Sequence, residues 1–105
     1  MPARRSRRYI GFRVAGSRSF TVKEVADAVK KGVLNLYGVE GLSLIDPVLI
    51  DFGESQEGVL RCNTSHLKET RAALTLITNI GGQSVAILVE KVSGTIKSLR
   101  KKSLQ

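Results

Sequence analysis

The feature that most restricts the fold of this chain is the spacing of its apolar residues, which changes from a period of two to a period near 3.6 and back. Ile10, Phe12 and Val14 occupy every second position, which predicts a half-buried strand over residues 8–15. Successive side chains of a strand point to opposite faces of the sheet. This strand therefore needs an apolar layer on one side only.

A helical spacing follows the first strand. Thr21 and Glu24 have the spacing of a capping box, which predicts the start of a helix. The apolar residues that repeat at helical intervals after this start are Val22, Val25, Ala26, Val29, Val33 and Leu36. Because Gly38 interrupts the repeat, we predict that the helix ends there and that a loop continues to Pro47.

The middle of the chain predicts a hairpin followed by a second helix. Residues 48–52 and 59–62 have strand character, and the polar turn 53–58 joins them. Asn63 or Thr64 is the expected N-cap of the second helix. Its predicted apolar face consists of Leu67, Leu74, Ile77 and Ile80, and the helix is expected to end at Gly81 and Gly82.

The last part of the chain predicts one more strand and a short basic helix. The run 85–89 is apolar at every position, so we expect this strand to lie inside the sheet. Ser93 or Thr95 then has the character of an N-cap for a helix that reaches about Lys102.

The predicted order is β α β β α β, followed by the basic helix. With right-handed crossovers this order gives an α+β, ferredoxin-like fold, in which an antiparallel four-stranded sheet carries both helices on one face, as in RNA-recognition domains. We assign residues 8–91 to this domain, residues 1–7 to a flexible basic arm, and residues 92–105 to a basic C-terminal helix and tail. The other face of the sheet is expected to be open.

The formal charge of +8 lies in the two ends of the chain. The uncompensated cations are Arg4, Arg5, Arg7, Arg8, Lys97, Arg100, Lys101 and Lys102. Of the 17 basic residues these eight lie in the ends, which leaves nine to balance the nine acidic residues of the middle. Two basic ends on a neutral domain favour binding to backbone phosphates. Disordered, solvated ends are the alternative.

The open face of the sheet offers few groups for reading bases. Tyr9 and Arg13 lie opposite to the predicted core side of the first strand, and Arg61 lies beside them if the hairpin register allows. The third strand has no aromatic residue, so stacking of bases on the sheet is disfavoured. For Arg13 and Arg61, ion pairing with Asp51 or Glu90 is as good an explanation as RNA contact.

A second candidate phosphate site is Ser93, Gly94 and Thr95. Free backbone N–H groups at a helix start, next to Lys97, favour an anion. An ordinary N-cap is the alternative.

The residues disfavour an enzyme site in this chain. Arg18, in the loop after the first strand, is placed like the phosphate-binding arginine of acylphosphatases, but residues 48–52 contain no asparagine to position water. Cys62 and His66 are the only cysteine and histidine, so neither a disulfide within the chain nor a zinc site is expected. We expect Cys62 to be a small buried strand residue.

The composition also disfavours a membrane protein. The apolar run 85–89 is far shorter than the roughly 20 residues of a membrane-spanning helix. Arg13 interrupts the only stretch that imitates a signal peptide. The expectation is therefore a cytoplasmic protein without a membrane partner.

Four short motifs resemble those of a known family. They are Arg8-Tyr9-Ile10, Arg61-Cys62, Arg71 with Ala73-Leu74, and Val92-Ser93-Gly94-Thr95-Ile96-Lys97. In their order and spacing the chain resembles archaeal ribonuclease P protein component two from about Arg8 to Lys102, and the last motif is the most specific.

The resemblance implies a subunit of ribonuclease P, the enzyme that removes 5′ leaders from precursor tRNA. It implies that magnesium bound by the RNA performs the chemistry, with no catalytic residue, metal or other cofactor in this chain. The implied partners are the ribonuclease P RNA, the protein component three and other ribonuclease P proteins, with precursor tRNA as the substrate of the complex. A homodimer is left open.

Apolar residues between the first helix and the second strand are candidates for a protein partner. They are Val39, Leu42, Leu44 and Ile45, and packing into the core is the alternative. A competing hypothesis for the whole chain is a dimeric interaction or ligand-sensing module whose basic ends are incidental.

Overall fold

The structure is a computed structural model that describes residues 6–96 and residue 99. The elements are β1 (Arg7–Gly16), α1 (Val22–Ile45), β2 (Val48–Phe52), β3 (Glu57–Asn63), a 3-10 turn (Thr64–His66), α2 (Leu67–Thr75), β4 (Asn79–Ile80) and β5 (Gln83–Ser93). The predicted bounds of β2 agree with the structure to the residue.

All strand pairs in the sheet are antiparallel, and the strand order is β2-β3-β1-β5-β4. β1 occupies the centre because it pairs with β3 on one side and β5 on the other. This arrangement confirms the predicted α+β class and the ferredoxin-like order of the four longer strands. The short β4 extends the sheet to five strands.

The core lies between the helices and one face of the sheet. Ile10, Phe12 and Val14 are buried at the alternating positions of β1, as their spacing predicts. The ring of Phe12 stacks on that of Phe52, with 6.2 Å between ring centroids. Each large side chain buried in this way contributes roughly 1.5–3 kcal/mol to folding. Cys62 is fully buried in the same cluster, as expected.

The capping box at the start of α1 is present, with the Thr21 hydroxyl accepting from the Glu24 N–H. The predicted end of α1 is wrong. Gly38 interrupts the helix with a φ of 75° and a ψ of −176°, but helical structure resumes and continues to Ile45. The helix resumes because glycine tolerates this conformation and because Ile45, only 1% exposed, anchors the segment in the core. Residues expected in a loop are therefore helical.

The predicted end of α2 is also wrong. The helix ends at Thr75, and Ile80 belongs to β4, where it lies opposite Gln83. Ile77 and Ile80 are buried as the pattern predicts. The apolar spacing thus identified which side chains are buried but not the element that carries them. A tight turn through Gly81 and Gly82, both with positive φ, connects β4 to β5.

The expected interior position of β5 holds only at its start. β4 covers Gln83 and Ser84, and no other described strand covers the remaining residues on that side. Val85 and Ile87 are buried, whereas Leu88 is 41% exposed. The continuous apolar run therefore does not mean that both faces are buried.

Gly58 provides a test of the core packing. An added Cβ would lie 2.7 Å from the Asp51 carbonyl oxygen and 2.9 Å from both Phe12 Cζ and Phe52 Cδ1. We expect Gly58→Ala to lower the free energy of unfolding by about 1–3 kcal/mol, because the two stacked rings must move. Urea unfolding measures this change.

Gly53→Ala is the matched control for that measurement. A Cβ at Gly53 would meet nothing within 4 Å. We expect a change within about 0.5 kcal/mol. Equal losses in the two variants would contradict the packing described for Gly58.

Candidate nucleic-acid interface

The two ends of the described chain meet at one end of the sheet. Tyr9 near the start of β1 lies opposite Ser93 at the end of β5. The Thr64 N–H donates to the Ser6 carbonyl oxygen at 3.0 Å, which extends the β1–β3 pairing by one more contact. The segments before Ser6 and after Ser93 therefore join the domain side by side.

Two of the eight predicted phosphate-binding cations lie within the described residues. Arg7, expected in a flexible arm, belongs to β1, and its Nη1 lies 3.6 Å from Asp46 Oδ2. Arg8 Nη1 donates to the Arg7 carbonyl oxygen at 3.3 Å, and a Cβ added to Gly94 would lie 3.4 Å from the same nitrogen. The predicted cations Arg4, Arg5, Lys97, Arg100, Lys101 and Lys102 lie outside the described residues.

The register between β1 and β3 places Arg61 directly opposite Tyr9. Both residues lie on the face away from the helices, because their neighbours Ile10 and Leu60 are in the core. With Ser93 opposite Tyr9 on the other side, the three residues form a row across the sheet. Arg61 Nε is buried and has no hydrogen-bond partner among the described residues. This nitrogen of the guanidinium is therefore shielded from solvent.

The middle of this face is covered by Leu99, a residue that no local pattern in the sequence marks as buried. Leu99 is 1% exposed, and its N–H donates to the Thr95 carbonyl oxygen at 3.1 Å. A Cβ added to Gly11 would lie 3.5 Å from Leu99 Cδ1. A leucine in a basic tail, together with a glycine inside a strand, is the sequence signal that could have indicated this contact.

The hairpin end of the same face is acidic. Arg13 lies opposite Glu57, and Arg13 Nε lies 3.6 Å from Glu90 Oε2. Ion pairing, the alternative to RNA contact, is therefore present for Arg13. Asp51 lies opposite Val59 at the same end. The face is thus polarised: three carboxylates and one arginine, Arg13, lie toward the hairpin, whereas Arg61 and the Asp46-paired Arg7 lie toward the chain ends.

The Ser93-Gly94-Thr95 segment has the geometry of an N-cap. Ser93 is 7% exposed, and its Oγ accepts from the Thr95 N–H at 3.3 Å. The Ser93 hydroxyl therefore provides a hydrogen-bond acceptor for a backbone N–H group of the same chain. Gly94 and Thr95 are exposed, and phosphate binding at this segment stays a prediction.

The loop after β1 is fixed by Arg18. Its Nη2 donates to Glu24 Oε2 at 2.7 Å, its Nη1 donates to the Ser19 carbonyl oxygen at 2.9 Å, and its guanidinium lies 4.3 Å from the centroid of the Phe20 ring. The Gln56 side chain accepts from the Phe20 N–H at 2.7 Å. Arg18 therefore stabilises the start of α1, which is a different role from a phosphate ligand.

The candidate partner residues separate into two groups. Ile45 is 1% exposed and Leu42 packs against the core, so these two follow the core-packing alternative. Val39 is 76% exposed and Leu44 is 49% exposed. Val39 and Leu44 are therefore the most exposed of the four candidates, and their contact with a partner stays a prediction.

Two further observations concern metals and membranes. Among residues 6–96 and Leu99, no group of three or more His, Cys, Asp or Glu side chains is arranged to hold a metal ion. No described helix is long and apolar enough to cross a membrane.

Comparisons with known proteins agree with the motif resemblance. Residues 8–104 match the model of the Rpp14/Pop5 family. Ribonuclease P protein component 2 of Thermococcus gammatolerans is 41% identical over 96% of this chain and 85% of its own length. The protein of the same name from Archaeoglobus fulgidus is 34% identical over 99% of this chain and 94% of its own length. The predicted family resemblance is confirmed.

The fold is also found in a solved structure. A chain in the cryo-EM structure of yeast Ribonuclease MRP matches 100% of this chain and 96% of its own length, with a TM-score of 0.74 and 8% sequence identity. At that identity the match shows a shared fold alone.

The Arg18–Glu24 pair predicts an acid-sensitive contribution to stability. Hydrogen bonds from Arg18 and from the Thr21 backbone N–H lower the pKa of Glu24 from 4.5 to about 2. A carboxylate whose pKa is lower in the folded than in the unfolded protein stabilises the fold at pH values above its unfolded pKa. For Glu24 this contribution is lost as the pH falls toward about 2. Between about pH 5 and about pH 2 we expect the wild-type protein to lose more stability than Glu24→Gln in urea unfolding.

Glu54→Gln, at an exposed carboxylate in the β2–β3 turn, is the control and should follow the wild-type curve. Parallel curves for the wild type and Glu24→Gln would contradict the stabilising role of the pair.

Proposed function

This chain belongs to the Rpp14/Pop5 family, and from that premise we propose how it works as a protein subunit of ribonuclease P. Its archaeal relatives carry the name of that enzyme's protein component 2. We propose that the chain binds and stabilises the catalytic RNA that removes 5′ leaders from precursor tRNA. Its contribution is charge and shape, and the reacting groups belong to the RNA.

The observation that carries this proposal is the antiparallel pairing of β1 with β5. It brings the attachment points of the two basic segments to one end of the sheet, where Tyr9 faces Ser93. Arg4 and Arg5 precede this end in the chain, and Lys97 to Lys102 follow it. Two segments that each carry cations without acids thus act on one stretch of RNA backbone.

The polarised sheet face supports the same orientation. Arg61 and Tyr9 lie on its basic half, whereas Glu57, Glu90 and Asp51 lie toward the hairpin and repel phosphates. We propose that RNA approaches the end formed by the chain termini. Because A-form RNA hides its base edges in a deep groove, these contacts read the spacing of phosphates rather than sequence.

The remaining parts of the proposal concern magnesium, partners and location. Magnesium is bound by the RNA, and the protein's cations lower the magnesium concentration that the RNA needs to keep its active fold. The expected partners are the ribonuclease P RNA and other ribonuclease P proteins, among them component three, and the complex acts on precursor tRNA in the cytoplasm. A homodimer stays an open part of this proposal.

Reconstitution tests the proposed function. Ribonuclease P RNA and its other protein subunits are assembled with and without this chain, and cleavage of a precursor tRNA is measured across a magnesium series. We expect the chain to lower the magnesium requirement or to raise cleavage at the mature 5′ end. If the folded chain changes neither, the proposal fails and an interaction or ligand-sensing module becomes the better hypothesis.

The salt dependence of RNA binding tests the phosphate contacts. If about six phosphates are contacted, log affinity should fall with log salt at a slope of about −4 to −5. Arg4→Gln with Arg5→Gln should reduce the magnitude of this slope by about 1.5, because two contacts are lost. Filter binding at several salt concentrations measures the slope.

Lys23→Gln with Lys30→Gln is the matched control, since it removes the same charge from exposed positions of α1. We expect this variant to keep the wild-type slope. A near-zero wild-type slope, or equal effects of the two double variants, would overturn the proposed role of the basic ends.

A further inference from the structure

The open face of the sheet carries a pocket of about 390 Å³ at its hairpin end. Gly11 lines this pocket and has no side chain that could fill it, and Leu99 forms one of its walls. Three carboxylates and one lysine are the charged groups among its described lining residues. We call it the acidic pocket, and its charged residues are Asp51, Glu57, Glu90 and Lys91.

Leu99 holds the chain against this pocket. Its side chain is 1% exposed, and a Cβ added to Gly11 would lie 3.5 Å from Leu99 Cδ1 and 3.6 Å from Leu99 Cδ2. These distances are ordinary van der Waals contacts between apolar groups. The segment that follows Leu99 therefore starts over the middle of the sheet face.

The residues that follow Leu99 are cationic. Each residue of an extended chain advances by at most about 3.6 Å, so three residues span at most roughly 11 Å. A basic segment attached to a buried leucine is therefore confined to the neighbourhood of the acidic pocket. Its three residues are Arg100, Lys101 and Lys102.

Two carboxylates of the pocket lie within this reach. Asp51 on β2 lies opposite Val59 on β3, which in turn lies opposite Gly11 on β1. Because neighbouring strands are about 4.8 Å apart, the backbone of Asp51 is roughly 10 Å from the strand position beneath Leu99. Glu57 belongs to β3, only one strand away from β1. The side chains of residues 100–102 can therefore reach both carboxylates while Leu99 stays buried.

The charges already present leave this side of the pocket negative. Arg13 Nε lies 3.6 Å from Glu90 Oε2, so Glu90 has a cation beside it. Glu57 is exposed, and none of the ion pairs within the described part of the chain engages it. Lys91 lies at the other end of the row that begins at Asp51, three strands and roughly 14 Å away. The basic segment attached at Leu99 supplies the charge that complements Asp51 and Glu57.

We propose that residues 100–102 dock on the Asp51–Glu57 side of the acidic pocket when no RNA is bound, and that RNA phosphates displace them. The docked state is an autoinhibitory contact, because it occupies cations that would otherwise bind RNA. It is readily reversed, since exposed ion pairs are weak and an RNA backbone offers many phosphates at once. This inference rests on the proposed function, because it assigns a regulation to the same basic segment.

Zero-length carbodiimide coupling of the full chain without RNA tests the docking, because it joins a carboxylate only to a lysine in direct contact. Isotope-labelled and unlabelled chains are mixed, coupled, digested and mapped by mass spectrometry. We expect Lys101 or Lys102 to be joined to Asp51 or Glu57 within one chain. Pairs of mixed label, which would identify a second copy as the occupant, overturn the inference, and so does the absence of coupling at both carboxylates.

The same coupling in the presence of ribonuclease P RNA tests the displacement. We expect the yield of these joined peptides to fall at the RNA concentrations at which filter binding shows the complex. An unchanged yield with RNA bound overturns this inference alone. A chain that binds no RNA overturns the proposed function as well.

A double-mutant cycle separates docking from simple repulsion of RNA by the carboxylates. We expect Asp51→Asn with Glu57→Gln to raise RNA affinity at low salt about threefold to tenfold, a range that two exposed ion pairs can supply. In a chain that also carries Arg100→Gln, Lys101→Gln and Lys102→Gln, the same pair of substitutions should change affinity less than about twofold. No docked cations are then left to release, and the two sets of substitutions are not additive.

Asp27→Asn with Glu40→Gln is the matched control, since it removes the same charge from exposed positions of α1 on the other side of the sheet. Its RNA affinity should stay within about twofold of the wild type. Glu57→Gln alone leaves Asp51 in place and should give a smaller gain with an unchanged urea unfolding curve, which keeps the test valid if the double variant is unstable. Equal gains with and without the three C-terminal cations would mean that the carboxylates only repel RNA, and would overturn the inference.

Discussion

The central position of β1 is the constraint on which the other parts of the molecule depend. Hydrogen bonding to β3 and β5 on its two sides fixes which residues face the helices and which face outward. Ile10 and Phe12 enter the core for this reason, and Tyr9 and Arg13 are directed to the other face. A shift of one residue in either pairing would exchange the two sets. Core packing and the candidate RNA face are therefore set by the same ladder of hydrogen bonds.

The distribution of charge follows from that topology rather than from composition. The middle of the chain is formally neutral, yet the fold places Arg7 and Arg61 toward one end of the sheet face and Glu57 and Glu90 toward the other. Leu99 lies between these halves, over Gly11. The net charge of +8 lies in the two ends of the chain, whereas on the sheet face Arg7 is paired with Asp46 and Arg13 with Glu90. The protein therefore presents its strongest positive field to an RNA at the end of the sheet where the chain ends meet.

Local patterns in the sequence predicted most of the elements. The capping box of Thr21 and Glu24 and the alternation in β1 were sufficient because they depend on neighbouring residues alone. The helix after Gly38 was missed because the burial of Ile45 depends on tertiary packing. The position of Arg61 beside Tyr9 required a register that no local signal fixes. The proposed RNA contacts stay predictions, since they depend on a partner as well as on the fold.

The pairing of Tyr9 with Ser93 joins residues from nearly opposite ends of the chain. Such a contact has a high sequence separation, which makes folding slower than in domains closed by local contacts. Among the described strands β1 is synthesised before the others, and its second neighbour, β5, is synthesised after them. One edge of β1, the strand that carries Ile10, Phe12 and Val14, therefore stays unpaired until β5 has been synthesised. Early association with an RNA or a protein partner would shorten the time for which this nascent domain is open to aggregation.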